Sequence, residues 1–224
     1  GSNDVTAIYT VPQNNYPLQD NMEAGTANWE WSAPWGQTTA FAYSGNISWS
    51  DSPLGSYFDN ANTALTTSIN LSEANSPVLT FWHKYTLEQN LDYGYVEVST
   101  NGGTTWTQLF VVTGNGEWKQ ERIKLSTYAG AVIGLRFRLA SDANGITGDG
   151  WYIDDVNIGE GLTSAGYPFF DDMEGGMGAW FYSSPWGQTT AVSHSANTSW
   201  TDSPFGSYSN NMNTSLWATV DLST

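Results

Sequence analysis

Polar and apolar residues alternate over short stretches of this chain, and helical spacing of apolar residues is nearly absent. In Gly134–Leu139, Leu135, Phe137 and Leu139 face one way and two arginines face the other. This period of two is typical of a half-buried antiparallel strand. Comparable stretches are separated by Gly, Asn, Asp, Ser and Pro, and together they predict a β-sandwich. The predicted strands are Val78–Tyr85, Tyr93–Ser99, Thr105–Val112, Trp118–Leu125, Ala131–Leu139 and Trp151–Ile158.

The chain also repeats part of itself. Residues 16–72 align without a gap with residues 167–223, and 31 of the 57 positions are identical. Tandem copies of one unit are typical of arrays. We therefore expect one complete domain at 16–160 and the start of a second, truncated copy at 167–224. Residues 1–15 are expected to be a linker or the tail of a preceding unit, and residues 161–166 a linker.

Composition excludes several classes of partner. The formal net charge is −16, although only 12% of the residues are charged. Nucleic acids and anionic membranes are bound by clustered Lys and Arg, and this chain has six such residues in all. No apolar run is long enough to span a membrane. The absence of cysteine is common in secreted proteins of bacteria and archaea.

Several motifs follow one another in a recognisable order. They are Asp20–Glu23, Leu79–Trp82, Tyr95–Ser99, Leu125–Gly130, Leu135–Arg138 and Gly150–Val156. This order resembles the MAM-like jelly-roll domains of secreted bacterial proteins. That group includes accessory domains of immune inhibitor A-type metallopeptidases, choice-of-anchor J domains and cleaved-adhesin modules of gingipains. The resemblance implies an all-β, calcium-stabilised jelly-roll sandwich that serves as a binding, adhesive or spacer module on an exported protein.

The resemblance also implies where calcium is held: between an acidic residue near the first strand and an aspartate in the last strand. Calcium takes about 6–8 oxygen ligands, which requires two or three carboxylates together with carbonyl groups. The candidate ligands are Asp20, Glu23, Asp51, Asp154 and Asp155. The first three recur at the same positions of the repeat. The alternative for Asp20 and Asp51 is turn capping, because Asp before Ser-Pro is a routine turn former.

Aromatic side chains are the second kind of candidate, since sugar-binding modules stack exposed rings on their ligands. The candidates for such stacking are Trp35, Trp49, Tyr93 and Tyr95. Core packing is the alternative, because sandwiches bury many tryptophans, and we favour it for Trp35 and Trp49. The tryptophans assigned to the core outright are Trp29, Trp82 and Trp151. We expect Trp35, in a Pro-Trp-Gly turn, to matter less for folding than Trp106 or Trp151.

Two loops are assigned to architecture. Ser99–Trp106 contains an Asn-Gly pair, which supplies the backbone angles of a tight hairpin, and it resembles the Asp-box pattern. Asp-boxes are usually structural hairpins. The acidic stretch Asp142–Gly150 lacks the closing glutamate of an EF-hand, so we interpret it as a turn.

The sequence holds no recognisable catalytic constellation. His83 lies in an apolar strand, and there is no His-Glu-x-x-His helix, cysteine nucleophile or Gly-x-Ser-x-Gly elbow. We therefore expect a non-catalytic module of a secreted or cell-surface protein that binds a carbohydrate or protein ligand, within an array of neighbouring repeats. One alternative is an accessory domain of a secreted metallopeptidase or glycosidase. Another is a subunit of an extracellular fibre or surface layer assembled by strand exchange.

Overall fold

The computed structural model describes residues 11–161 and, further along the chain, 165–166, 170–174, 180–182, 186–194, 196–204, 206–208, 210, 214–218 and 220–221. The chain divides into two compact units between Glu160 and Gly161. No helix in these described ranges is long and apolar enough to cross a membrane. The predicted segments 1–15, 161–166 and 167–224 lie partly outside the described residues.

The regular secondary structure described for the first unit is almost entirely β-strand. In chain order they are β1 (Gln13–Asn15), β2 (Leu18–Asp20), β3 (Glu30–Trp31), β4 (Gly36–Thr38), β5 (Ser48–Ser50), β6 (Asn62–Asn70), β7 (Pro77–Thr86), β8 (Tyr93–Ser99), β9 (Thr107–Val112), β10 (Asn115–Lys124), β11 (Val132–Ala140) and β12 (Gly150–Glu160). A 3₁₀ turn at Ser126–Tyr128 separates β10 from β11. The six strands predicted from alternation correspond to β7–β12.

These strands form two six-stranded sheets that pack face to face as a jelly-roll sandwich. Sheet A has the order β1-β6-β11-β8-β9, and β3 also pairs with β6. Sheet B has the order β10-β7-β12-β5-β4, and β2 also pairs with β12. The pairing of β1 with β6 is parallel, whereas the long central pairs are antiparallel. The all-β sandwich expected from the sequence is therefore confirmed.

Strand β11 confirms the predicted alternation. Leu135, Phe137 and Leu139 are fully buried between the sheets. Arg136 and Arg138 lie on the opposite, outer face, where the Nε of each donates to Glu97 Oε2, at 2.7 and 2.8 Å. The period of two thus separates a core face from a charged outer face, as expected for a strand covered on one side only.

Aromatic rings fill the space between the sheets. Phe137 of sheet A lies 5.0 Å from Phe81 and 5.7 Å from Trp151 of sheet B, measured between ring centroids and close to edge-to-face. Rings at these separations attract one another beyond the area they bury. Trp151 also donates from Nε1 to Nδ1 of the buried His83, at 3.1 Å. The predicted core positions of Trp29 and Trp151 are confirmed.

For three other tryptophans, the structure either corrects the position expected from the sequence or decides between core packing and ligand stacking. Trp35 is 2% exposed and Trp49 is 0% exposed, so neither ring has a face to offer a ligand. Both belong to the core, and stacking on a sugar is wrong for these two rings. Trp82 is the opposite case: it is half-buried and lies on the outer face of sheet B, because Phe81 and His83 on either side of it point inward.

The second unit repeats the local structure of the first over its described residues. Its strands are β13 (Ala165–Gly166), β14 (Trp180–Tyr182), β15 (Gly187–Thr189), β16 (Ser199–Thr201), β17 (Leu216–Ala218) and β18 (Val220–Asp221). The pairings β13–β18, β14–β17 and β15–β16 match β1–β6, β3–β6 and β4–β5 in register, 151 positions earlier. Trp180 Nε1 donates to Asp171 Oδ2 at 2.9 Å, as Trp29 does to Asp20. Equivalent residues of the two copies therefore form the same contacts in both units.

Candidate functional site

The outer face of sheet A carries an open groove of about 720 Å³, which we call the Trp31–Trp106 groove. Its floor is formed by Ala64 and Thr66, which point outward from β6. Trp31 and Trp106 flank it, and Glu30 lines it together with Arg136. Two aromatic rings with a few polar groups between them are typical of a small-molecule or saccharide site.

Local pairing positions each wall of this groove. Glu30 lies opposite Thr66 where β3 pairs with β6. Beyond β3, Ser32 donates from its backbone N–H to Ala64 O at 3.0 Å, and its side-chain Oγ accepts from Ala64 N–H at 2.8 Å. The short strand is thereby held on the edge of sheet A, and Glu30 is directed over the outer face.

The opposite wall is the Asn-Gly hairpin between β8 and β9. Gly102 and Gly103 have φ angles of +68° and +85°, the left-handed region that glycine adopts without strain. Asn101 Oδ1 accepts from Thr105 N–H at 2.9 Å and closes the turn. The predicted hairpin is confirmed, and both of its glycines line the groove.

The two tryptophans differ in what they offer a ligand. Trp31 is 44% exposed, and on its inner side it contacts Trp49, with ring centroids 5.0 Å apart. Trp106 is half-buried under the Arg136 guanidinium, which lies 4.1 Å from the ring centroid in a cation–π contact. Arg136 is itself held by Glu97. Trp31 is therefore the accessible ring, and Trp106 with Arg136 forms a firm wall.

Glu30 contributes an acceptor without a donor. Its Oε2 is buried and has no hydrogen-bond partner. Burial raises the pKa of this carboxyl above its ordinary value. Buried acceptors are satisfied in nearly all folded proteins, so the missing partner of this oxygen is an exception at a residue that lines the groove.

Tyr93 and Tyr95, predicted to stack on a ligand, lie on this same outer face but do not line the groove. Their ring centroids are 5.8 Å apart. The Arg138 guanidinium lies 4.4 Å from the ring centroid of Tyr95, and the Tyr93 hydroxyl donates to Asn90 O at 2.8 Å. They continue the aromatic and guanidinium surface of sheet A beyond the groove.

Asp20, a predicted calcium ligand, is a hydrogen-bond acceptor at the centre of a local network. Its Oδ1 accepts from Met22 N–H at 2.8 Å. Its Oδ2 accepts from Asn28 Nδ2 at 2.8 Å and from Trp29 Nε1 at 2.9 Å. Three donors occupy most of the lone pairs of one carboxylate. Asp20 thus fixes the turn after β2 to the indole of Trp29, which is the capping alternative.

Glu23 and Asp154 hold the loop between β4 and β5 in the same manner. Glu23 Oε1 accepts from the backbone N–H groups of residues 46 and 47, at 2.8 and 2.7 Å. Asp154 Oδ2 accepts from those of residues 43 and 44, at 2.7 and 3.2 Å, and its Oδ1 accepts from Asp155 N–H. Burial raises the pKa of Asp154 to about 6 despite these donors. Asp155 Oδ1 accepts from the Ser44 hydroxyl at 2.8 Å.

Asp51 lies apart from the others, at the end of β5. It is fully buried, and its Oδ1 accepts from Trp151 N–H at 2.6 Å. Gly150, with φ +98°, passes so close that a Cβ there would clash with this oxygen. Asp51 Oδ2 is buried without a partner, and burial raises the pKa of the carboxyl to about 7.

Four of the five predicted residues thus hold the turn after β2 or the loop between β4 and β5 through N–H and hydroxyl donors, and Asp51 lies apart from them. Within the described ranges, one group of three carboxylates has oxygens within 4.8 Å of one another: Glu88, Asp92 and Asp142. In the loop after β11, Asp142 Oδ1 accepts from Asn144 N–H at 3.1 Å, consistent with the predicted turn. The acidic trio has the donor chemistry for calcium, and calcium at the five predicted residues stays a prediction.

Sequence reasoning missed Glu30, Trp31 and the role of the hairpin. The repeat offered a signal. Residues 34–40 recur unchanged in the second copy, whereas Glu30 and Trp31 just before them are replaced by Phe181 and Tyr182.

The fold and its groove define a β-sandwich domain with a ligand-accessible surface on the outside of one sheet. No family model matches the chain. It is 38% identical over 136 residues to Bacillopeptidase F of Bacillus subtilis, a match covering 59% of this chain and 9% of that protein. The chain thus spans a small fraction of the curated relative it matches.

Similar solved structures are β-sandwich domains at low sequence identity. The K1 cleaved adhesin domain of Lys-gingipain from Porphyromonas gingivalis has a TM-score of 0.48 and 21% identity, over 64% of this chain and 98% of that one. The C-terminal family 22 carbohydrate-binding module of Xyn10B from Clostridium thermocellum has a TM-score of 0.46 and 13% identity, over 65% of this chain and 94% of that one.

Proposed function

We propose that residues 13–160 form a non-catalytic, glycan-binding domain of a larger secreted protein, and that the ligand binds in the Trp31–Trp106 groove. The observation that carries the proposal is that one groove is lined both by Glu30, whose Oε2 has no hydrogen-bond partner, and by the exposed Trp31. A saccharide satisfies both groups at once. Its C–H face packs on the indole, and a hydroxyl donates to the carboxylate.

The polypeptide context supports the accessory role. The similarity to Bacillopeptidase F extends over a segment of domain size within a much longer peptidase. We infer that this domain, too, is one part of an exported protein whose other parts carry any catalysis. His83 belongs to the core, where its Nδ1 accepts from Trp151, so it is not positioned for chemistry at a surface. The repeated pairings of the second unit favour several such domains in series, the array hypothesis.

The groove is tested by substituting its accessible ring. Affinity electrophoresis against neutral polysaccharides (xylan, β-glucan, galactomannan and starch) identifies the ligand, and calorimetry with its hexasaccharide gives the affinity. Trp31→Ala is expected to weaken binding by about tenfold or more, because truncating a central aromatic contact typically costs more than about 1.4 kcal/mol. Glu30→Gln, which keeps the shape and removes the charge, is expected to weaken it less.

Phe58→Ala is the matched control, since Phe58 is an aromatic residue 66% exposed outside the groove. Its affinity should equal that of the unmodified chain. Equal affinity for Trp31→Ala would show that the groove does not bind the saccharide. Absence of retardation by every polysaccharide would remove the glycan class altogether.

Calcium remains a proposal that follows from the resemblance, and the acidic trio is where it is tested. Adding millimolar calcium to chelator-treated protein is expected to raise the melting temperature by roughly 5 °C, since a ligand at a hundredfold excess over its Kd adds about 2.7 kcal/mol. Asp142→Asn should reduce the rise. Asp154→Asn, at a carboxylate that already accepts three N–H donors, should leave it intact. No rise in any variant would contradict calcium binding.

A further inference from the structure

A second open groove lies on the opposite face of the sandwich, on the outside of sheet B. It has a volume of about 530 Å³, and we call it the Trp82–Asn157 groove. Thr80 and Trp82 project into it from β7, Gln120 from β10 and Asn157 from β12. The residues of β7 between them point into the core, so this surface faces away from the Trp31–Trp106 groove.

The second groove also contains an acceptor without a donor. Asn157 Oδ1 is buried and has no hydrogen-bond partner. A side-chain amide oxygen has two lone pairs, and buried ones are almost always satisfied. As with Glu30 in the first groove, the residue with the unsatisfied atom is one of those that line the groove.

The strand itself is distorted at this point. The register of β12 against β7 shifts between Asp154 and Asn157, which marks a β-bulge. Asp155 in the bulge has a φ of +45°, a left-handed conformation that is uncommon for a residue with a side chain. Bulges re-aim side chains and are frequent beside functional sites. Here the distortion places Asp155 and Asn157 along the same groove.

An exposed aromatic ring lies beside this groove, just as the exposed Trp31 lies at the Trp31–Trp106 groove. Tyr43 is 43% exposed and stacks on Trp82 with ring centroids 3.5 Å apart and planes within 10°. The residues that line the groove include two carboxylates and several amides but no lysine or arginine. Such a lining suits an uncharged ligand rich in hydroxyl groups, which donate to oxygens and pack their C–H faces on a ring.

We propose that the Trp82–Asn157 groove is a second saccharide site, and that one domain binds two glycan chains on opposite faces and bridges them. The proposal rests on the proposed function for the chemical class of the ligand. Two outward-facing sites on one rigid sandwich cannot close on a single short chain, so binding at both joins separate chains and adds avidity on a polymer.

The test uses the full chain and the hexasaccharide of the polysaccharide that it retards most. Calorimetry is expected to give two sites in the first unit for the unmodified protein. Trp82→Ala and Gln19→Arg, which places a bulky charge at an exposed position of the groove, should each remove one site and leave the other. Trp118→Ala is the control, because Trp118 contacts Tyr43 from outside the groove, with centroids 6.0 Å apart.

Bridging is read from light scattering on adding protein to the soluble polysaccharide. The unmodified chain and Trp118→Ala should raise scattering several-fold, and Trp31→Ala, Trp82→Ala and Gln19→Arg should not. Gln19→Arg keeps the test valid if Trp82→Ala fails to fold. Binding and scattering unchanged in Gln19→Arg would overturn the second site while leaving the proposed function intact. Loss of binding in Trp82→Ala and Gln19→Arg with none in Trp31→Ala would instead reject the first groove and the bridging with it.

Discussion

Replacing Trp35 by alanine is expected to destabilise the first unit by about 3–5 kcal/mol, as large-to-small substitutions of buried tryptophan do. Trp35 is almost completely buried, and its ring meets that of Trp151 at a centroid distance of 6.4 Å and an angle of 65°. Truncation would leave a cavity beside Trp151 that the surrounding strands cannot fill without moving. Denaturant unfolding followed by fluorescence and circular dichroism measures the loss.

The comparison variants are Trp151→Ala and Phe58→Ala. Trp151→Ala should cost as much as Trp35→Ala, because both rings belong to one cluster. Phe58→Ala, at a mostly exposed ring, should change the free energy of unfolding by under about 1 kcal/mol. A loss for Trp35→Ala as small as that for Phe58→Ala would restore the expectation from the sequence, in which the Pro-Trp-Gly turn contributes little to folding.

Alternation predicts the second half of the sandwich well because its strands are long and covered on one side. Strand β8 has the predicted bounds, and β11 differs by one residue at each end. In β11 every second residue is a large apolar side chain, so the pattern is readable without knowledge of the partners. Strands of this kind can be recognised from the alternation in the sequence alone.

Alternation does not predict the strands in the first half of the sandwich, because all of them except β6 have only two or three residues. A two-residue strand such as β3 has no period, and it exists because Glu30 and Trp31 pair with β6. The groove is unpredictable for a related reason. It is assembled from β3, β6, β11 and the hairpin before β9, which are far apart in the chain.

The partners of the acidic residues could not be predicted from the sequence, for a different reason. Composition shows unpaired carboxylates, and a cation is a reasonable partner for them. In the structure the partners of Asp20, Glu23 and Asp154 are mainly N–H groups of nearby loops and the indole of Trp29. Backbone donors are invisible in a sequence, because every residue except proline carries one.

Asp51 is expected to make the stability of the first unit fall as the pH rises from about 4 to about 7. Burial raises the pKa of its carboxyl from 3.8 to about 7, so between these values the folded state holds a proton that the unfolded state has released. Stability then decreases with pH across this window. The difference of about three pKa units corresponds to about 4 kcal/mol lost once the pH exceeds 7, as an upper value.

Asp51→Asn removes this titration while its amide oxygen can still accept from Trp151 N–H. The variant should lose less stability than the unmodified chain between pH 4 and pH 8, and it should be the more stable of the two at pH 8. Urea unfolding at each pH gives both free energies. Glu73→Gln, at an exposed carboxylate, is the control for a general change in net charge. Parallel pH profiles for the unmodified chain and Asp51→Asn would mean that the buried Oδ2 of Asp51 is stabilised as an anion by a partner such as a bound cation.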